Sequence, residues 1–365
     1  MKRTTSGTAG FTTGIDMGDR WSHFVVLENE TGEIVETGKV LTCDPGFRAE
    51  FGKRGPMRIA IEAGTHSPWA SRLLKEHGHD VLVANPRKLR LIYKSDKKND
   101  KVDAESLARI ARMDAELLGP IQHRGIEAQQ SLALIRARDA MVRTRTLLIN
   151  HVRGAVKSIG GRLPSSSSSG FPKLSKYIPR ELWEALSPIV VTISSISSEI
   201  KKYDREIGRI ARESYPETKS VQQVNGVGSL TALAFVLTID DPKRFDTSRQ
   251  VGAYLGLRPR QDESGTIKRQ LGITNAGDVY MRRLLVGSAQ YILGPFGEDC
   301  DLRRWGLELA KTGGKNAKKR AVVAVARKLA VLLHRLWVSG EPYERLRNSL
   351  ATVETKDTVA TPAVA

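Results

Sequence analysis

Thr12-Thr13-Gly14-Ile15-Asp16, followed after the polar turn Gly18-Asp19-Arg20 by His23-Phe24-Val25-Val26-Leu27, decides the fold of the N-terminal part of the chain. Both runs are short, rich in β-branched and aromatic residues, and bounded by turn residues, so they predict two strands. Working outward, Glu30-Thr31-Gly32-Glu33 reads as a turn and Ile34–Leu41 as a third strand. Arg58-Ile59-Ala60-Ile61-Glu62 reads as a short buried strand. Asp80-Val81-Leu82-Val83-Ala84 reads as another, stopped by Asn85-Pro86. Ser67–His77 predicts a helix closed by Gly78, and a long helix is expected from about Val102 to Leu118, closed by Gly119-Pro120. Three antiparallel-looking strands, then alternating helix and strand, predict an α/β domain with a mixed sheet over residues 11–118.

The rest of the chain reads as mostly helical. Gln129–Ile159 is one long helix with Leu132, Ile135, Met141, Leu148 and Val152 on its apolar side. Gly160 to Pro172 breaks it and contains Ser165 through Ser169. Leu182–Tyr215 is helical again, with Ile189, Ile193, Ile196 and Ile200 three or four apart. Residues 119–215 are therefore expected to form a helical arm, either a coiled coil that carries a partner subunit or an intramolecular strut. Pro216 opens a third region, 216–343. It holds a compact helical pattern over Val221–Asp240, helices over 245–310 interrupted by a Gly-, Arg- and Ser-rich loop at 256–272, and a basic helix over Lys315–Val338. Residues 344–365 read as a flexible polar tail.

Composition narrows the class. Fifty-eight Lys and Arg against 40 Asp and Glu give a net charge of +18 over 365 residues. With 40% hydrophobic residues the chain can build real cores, which excludes a wholly disordered protein. Two cysteines, Cys43 and Cys300, exclude a disulfide scaffold and a four-cysteine zinc site. No stretch approaches about 18 uninterrupted apolar residues, and Met1-Lys2-Arg3-Thr4-Thr5 opens no signal peptide. The expectation is a cytoplasmic protein without a membrane partner. Its charge serves either solubility alone or a polyanionic ligand such as nucleic acid.

Four acids stand at the ends of predicted elements: Asp16, Glu62, and Asp100 with Asp103 on one face of a helix start. Carboxylates that converge raise one another's pKa unless a counter-charge is present, and Mg²⁺ or Mn²⁺ is the economical one. Two such ions would serve phosphoryl transfer. The alternative is separate solvated acids, with Asp100 capping the helix and Asp103 at the third position. Arg87, Lys88, Arg90, Lys94, Lys97, Lys98 and Lys101 lie before and between the last two acids, as a phosphate-binding strip or as a solvated face. Ser264 precedes Gly265 near Arg258, Arg260, Lys268 and Arg269. Its hydroxyl either attacks a phosphodiester or merely caps a turn. Asn225-Gly226-Val227-Gly228 reads as a helix-hairpin-helix turn, with Gly226 and Gly228 exposing backbone amides to a phosphate, or as a tight corner between helices.

Three blocks, taken together, resemble a known family. They are Gly14-Ile15-Asp16-Met17-Gly18 with Ile61-Glu62-Ala63; Lys94 through Ala104; and Asn225-Gly226-Val227-Gly228 with Gly256-Leu257-Arg258-Pro259, Ser264-Gly265, Gly272 through Asp278, and Tyr280 through Leu285. Their order and spacing over residues 11–340 resemble the DEDD transposases of bacterial insertion sequences, which are bridge-RNA-guided, serine-dependent recombinases. The resemblance implies a RuvC-like, RNase H-like N-terminal domain in which Asp16, Glu62, Asp100 and Asp103 bind Mg²⁺ and form the catalytic acids. It implies a coiled coil that assembles homodimers into a tetramer on double-stranded donor and target DNA, and a guide RNA as further partner. It implies a C-terminal transposase domain whose serine, matched by Ser264, forms a covalent 5′-phosphoserine link. Arg282 and Arg283, in the last block, join the expected nucleic-acid contacts. Members usually carry two serines before the glycine; here Glu263 takes the first place, which leaves Ser264 as the single candidate. Two rival readings use the same residues. One is a metal-dependent Holliday-junction-type nuclease with water as nucleophile. The other is a non-catalytic nucleic-acid-binding protein, against which four converging acids argue.

Overall fold

The computed structural model describes residues 10–92, 99–264, 267–312 and 314–348, with the side chains at 90–92, 262–264 and 267–270 outside the description. The chain divides into two compact units, residues 1–125 and 126–365.

The first unit runs β1 (Phe11–Met17), β2 (Trp21–Glu28), β3 (Ile34–Leu41), α1 (Asp44–Phe51), β4 (Arg58–Glu62), α2 (Ser67–Glu76), β5 (Asp80–Ala84), α3 (Pro86–Ile92) and α4 (Asp100–Met113). The sheet order is β3-β2-β1-β4-β5. β1 is antiparallel to β2 and parallel to β4, and β4 is parallel to β5, so the expected mixed sheet is present. Alternation sends Ile15, Phe24, Val26, Val40, Ile59 and Ile61 to one face, where Phe47 and Phe51 of α1 and Leu73 and Leu74 of α2 cover them. Phe47 and Phe51 are fully buried, each worth roughly 2–3 kcal/mol of transfer free energy. Val25, Leu27 and Ala60 point the other way, against Ala104, Leu107, Ala108 and Ala111 of α4. α4 rides low on the sheet because β1 carries Gly14. A Cβ there would stand 2.1 Å from the Ala104 carbonyl oxygen.

α4 ends earlier than the sequence predicts. Asp114 accepts a hydrogen bond from the Glu116 N–H (2.9 Å) and starts a separate short turn over Ala115–Leu118. An Asp side chain that caps a new turn competes with continuation of the old helix.

The second unit holds α5 (Ile126–Ser158), α6 (Arg180–Glu213), α7 (Thr218–Gln222), α8 (Ser229–Ile239), α9 (Ser248–Tyr254), β6 (Pro259–Ser264), β7 (Ile267–Ile273), α10 (Val279–Leu293), α11 (Asp301–Lys311) and α12 (Ala317–Ser339). α5 and α6 form an antiparallel hairpin. Arg138 meets Asp204 at 2.5 Å, Arg145 donates to Ser197 Oγ at 3.3 Å, and Ile149, Val152 and Val156 pack with Leu186, Val190 and Ile193. At its base Ile135, Ile207 and Ala211 join the core built on α8, α10 and α12. α8 is buried from Thr231 to Ile239, which makes it the central helix of this core.

Two segments differ from expectation. Most of the described part of the expected loop at 256–272 is strand: β6 and β7 pair antiparallel. The two strands are charged rather than alternating, so period-two patterning gives no sign of them. The register instead sets Asp262 opposite Arg269 and Glu263 opposite Lys268. Residues 344–348, at the head of the expected tail, are tied to α11. The Asp301 N–H donates to the Arg345 carbonyl (2.8 Å), and the Asn348 N–H donates to Asp301 Oδ2 (2.8 Å).

Candidate active site

The acids of the first unit are placed by strand register. Ile15 pairs with Ile61, so Asp16 and Glu62 stand side by side at the ends of parallel neighbours β1 and β4. Ile15 and Ile61 face α1 and α2, so Asp16 and Glu62 take the opposite face, the one that α4 covers. Both are half-buried. Across β1 from Asp16 stands His23, whose Nδ1 lies 3.6 Å from Asp100 Oδ2. Asp100 opens α4. The cap of that helix is Asn99, whose Oδ1 accepts from the Lys101 N–H at 3.1 Å, so Asp100 is free of the capping role that sequence spacing left open. The close contact of Gly14 with Ala104 sets the height of the helix: Asp100 lies one turn before Ala104, and Asp16 two residues past Gly14. Asp103 shares the Asp100 face of α4.

Asp16, Glu62 and Asp100 thus share one face and one end of the sheet. Carboxylate oxygens are the donors a hard divalent cation takes, so the donor chemistry fits Mg²⁺ or Mn²⁺. Among the described residues no three His, Cys, Asp or Glu side chains form a closed ligand cluster. The acids are aligned toward one end without being drawn around one point.

The turn that follows Glu62 is fixed by a contact the sequence does not announce. Ser67 Oγ accepts from the Gly64 N–H (3.0 Å), donates to the Gly64 carbonyl (2.9 Å) and lies 2.8 Å from His123 Nε2. Burial, then the charges of Arg124, Arg72 and Lys75, push the His123 pKa down. A neutral imidazole with its proton on Nε2 completes the hydrogen bonding of this oxygen. Ser67 and His123 are 56 residues apart, so no local pattern could link them.

In the second unit Ser264 ends β6, opposite Ile267, beside the tip of the hairpin. The hairpin rises from a clamped base. The chain at Gly256 (φ 71°) crosses Ala276 so closely that a Cβ would sit 2.2 Å from its carbonyl oxygen. Gly277 (φ 65°) crosses Tyr254 equally closely. Only glycine permits both the positive φ and the approach. Beneath the crossing, Arg282 Nη1 donates to the Leu255 carbonyl (3.1 Å) and to that of Ala276. The Gly256 and Gly277 positions of the sequence motif therefore serve the hairpin's foundation.

A family model described as Transposase, of the DEDD IS110 type, matches residues 13–160, and one described as Transposase IS116/IS110/IS902 family matches residues 218–295. The chain is 30% identical over 274 residues to the "Transposase for insertion sequence element IS1111A" of Coxiella burnetii, a match covering 73% of each chain. It is 30% identical over 299 residues to the "Probable family 20 transposase" of Pseudomonas aeruginosa, covering 78% of this chain and 84% of that one. The chain belongs to the IS110 family of transposases. It is 27% identical over 297 residues to the "Transposase for insertion sequence element IS1328" of Yersinia enterocolitica, covering 76% of this chain and 82% of that one.

Transposases cleave and rejoin DNA, so DNA is the partner of this transposase. Its described cations fall into two groups. Arg87, Lys88, Lys101, Arg258 and Arg260 are exposed. Arg282 is 7% exposed and bonded to backbone, which makes it a support of the hairpin base rather than a surface group. Arg283 is half exposed but paired with Asp139 at 2.5 Å, and it shares the Tyr280 ring with Arg136, at 5.0 and 4.9 Å from the centroid. These contacts join α10 to α5, a joint the sequence did not reveal. Gly226 (φ 91°) is packed, since a Cβ would lie 3.0 Å from Tyr291 Cδ1; at exposed Gly228 a Cβ would meet nothing within 4 Å. Lys94, Lys97 and Lys98 lie outside the described residues, as do the side chains of Arg90, Ser264, Lys268 and Arg269. Among the described residues no helix is long and apolar enough to cross a membrane. Cys300 caps α11 through Sγ, and Cys43 is exposed.

Proposed function

We propose that this transposase cuts and rejoins DNA through a covalent serine intermediate. Asp16, Glu62, Asp100 and Asp103 are the acids that hold a divalent cation, Mg²⁺ or Mn²⁺. When bound, such a cation supplies charge neutralisation at the scissile phosphate and lowers the barrier to attack on phosphorus. The Ser264 hydroxyl attacks that phosphorus. The P–O bond to the 3′-oxygen breaks, that oxygen leaves as a 3′-hydroxyl carrying the proton serine gave up, and the 5′-phosphate stays on Oγ. A second 3′-hydroxyl then attacks the phosphoserine and expels serine, so the phosphodiester is conserved without an external energy source. Arg258 and Arg260 hold the non-bridging oxygens, and Arg87, Lys88 and Lys101 hold the flanking backbone.

The observation that carries this reading is the register of Asp16 beside Glu62 on the face that α4 covers, with Asp100 reaching His23 across from Asp16. That placement supports the RNase H-like site that the resemblance implies. The α5–α6 hairpin is read as the arm through which dimers, and on DNA a tetramer, assemble. A structured RNA is read as the source of target choice. The division of labour is three-fold: acids over 11–118, an arm over 119–215, and a serine-bearing domain over 216–343.

The deciding experiment incubates the protein, its co-purified RNA, and donor and target duplexes with Mg²⁺. Ser264→Ala should keep nucleic-acid binding and lose the protein–DNA adduct. Asp16→Asn should lose cleavage at saturating Mg²⁺. An adduct that survives in Ser264→Ala removes serine from the mechanism, and full cleavage by Asp16→Asn removes the metal site.

A further inference from the structure

The sheet face that carries Asp16 continues past α4 as an uncovered platform. His23 and Trp21 are two apart on β2 and so share a face, about 7 Å from each other along the strand. His23 reaches Asp100, which fixes that face as the one bearing the acids. β3 pairs with β2 so that Lys39 stands opposite His23 and Leu41 opposite Trp21. The Lys39 ammonium lies over the Trp21 ring, 5.2 Å from its centroid. Trp21 is 39% exposed and Leu41 is 42% exposed. An indole left in solvent is costly in apolar surface unless something covers it. The exposed Arg20 and Lys101 flank the patch.

We infer that Trp21 and Lys39 form a docking platform for single-stranded DNA, which leads an unpaired strand to the Asp16 end of the sheet. The inference rests on the proposed role of Asp16. An aromatic ring on an open sheet, backed by cations, offers what an unstacked base needs: a flat apolar surface and a counter-charge for the adjoining phosphate. A base inside a duplex shows only its edges, so the platform selects the single strand. The Lys39 ammonium, with Arg20 next to Trp21 in sequence, supplies the local positive charge that complements the phosphate backbone. Trp21 also sits beside the acids rather than on a remote surface, so a strand stacked there passes the reacting centre.

The test uses the full-length protein without divalent ion, so that binding is read apart from cleavage. Fluorescence anisotropy is measured with a labelled single-stranded DNA, the matching duplex and the matching single-stranded RNA. Trp21→Ala should weaken single-stranded DNA about tenfold and leave the duplex within about twofold. Trp21→Phe should keep most of the affinity, and Lys39→Ala should flatten the salt slope for the single strand by about 0.7. Unchanged single-strand binding in Trp21→Ala, an equal loss for duplex, or a loss confined to RNA overturns the platform. Photocrosslinking of bromodeoxyuridine DNA to the wild-type protein gives a second readout that does not depend on the variants folding. The expected crosslink is on the peptide carrying Trp21, and crosslinks only elsewhere overturn the platform too. A wild type that crosslinks at Trp21 yet never cuts DNA with Mg²⁺ sinks the proposed function while the platform stands; cutting without the Trp21 crosslink does the reverse.

Discussion

Arg282 illustrates how a single residue changes meaning between sequence and structure. In sequence it is one of two adjacent arginines in a motif, which suggests a phosphate contact. In the fold its guanidinium is buried beneath two crossing backbones and serves their carbonyls. Removing it strands buried acceptors, so Arg282→Ala should destabilise the second unit by about 2–4 kcal/mol. The check is a denaturant melt beside a DNA titration: a lower midpoint is expected, whereas an intact midpoint with weaker DNA binding would return Arg282 to the surface role. Two histidines of the first unit make a pH prediction. Burial holds the pKa of His79 below its ordinary value of 6.5, and the same cause lowers that of His123. The unfolded chain therefore takes up protons near pH 6.5 that the folded unit refuses. Stability is complete above that pH and falls as pH drops through it toward the folded values. Urea melts from about pH 7.5 to about 5.5 should show this loss. The pair His79→Gln and His123→Gln should flatten it.

Elements were legible where their periodicity was strong and obscure where charge replaced it. The five strands of the first sheet read directly, because Val25-Val26-Leu27 and Ile59-Ala60-Ile61 are apolar runs bounded by turns. The long helices α5 and α6 read equally well from their spaced leucines and isoleucines. β6 and β7 did not, since Arg260-Gln261-Asp262-Glu263 has no apolar alternation and the two strands show only in their backbone pairing. The acids were legible as residues at element ends. Their common face was not, because it depends on the register of β1 with β4 and on a helix more than 80 residues from β1 in sequence. Gly14 is the hinge of that arrangement, and it yields a prediction for α4. Gly14→Ala would drive a methyl into the Ala104 carbonyl at 2.1 Å, backbone against backbone. α4 must lift, and Asp100 and Asp103 move with it. Overpacking of this kind costs about 1–3 kcal/mol in stability. Cleavage should fall far more than that loss of folded protein explains, as measured by Mg²⁺-dependent cutting at a temperature where circular dichroism reports the variant folded. A variant that cuts at the wild-type rate would mean the helix position is immaterial to the acids.

At the scale of the molecule, charge is what binds the parts into one function. Residues 126–365 carry 38 Lys and Arg against 23 Asp and Glu, and residues 1–125 carry 20 against 17, so the long-range attraction for a polyanion comes mostly from the second unit, while the proposed chemistry rests on the acids and the serine. If the charge served solubility alone, its removal at a few exposed sites would leave DNA binding unchanged. If it neutralises phosphates, each contact releases counterions and enters the slope of log K against log salt with a weight of about 0.9 on duplex DNA. Arg87, Lys88 and Lys101 are the exposed described members of the strip that precedes and interrupts the Asp100–Asp103 pair. Replacing all three by alanine should therefore reduce the duplex salt slope by about 2–3. Affinity should weaken most at low salt and converge with wild type as salt rises, because screening removes the very attraction the substitutions delete. Arg304→Ala makes the control, since that guanidinium is already committed to Asp299 at 2.6 Å and offers little net charge to a backbone. Titrations of the two variants at several salt concentrations separate the possibilities: parallel lines for the triple variant and wild type would confine those cations to solubility, and a shallower line would place them on the DNA.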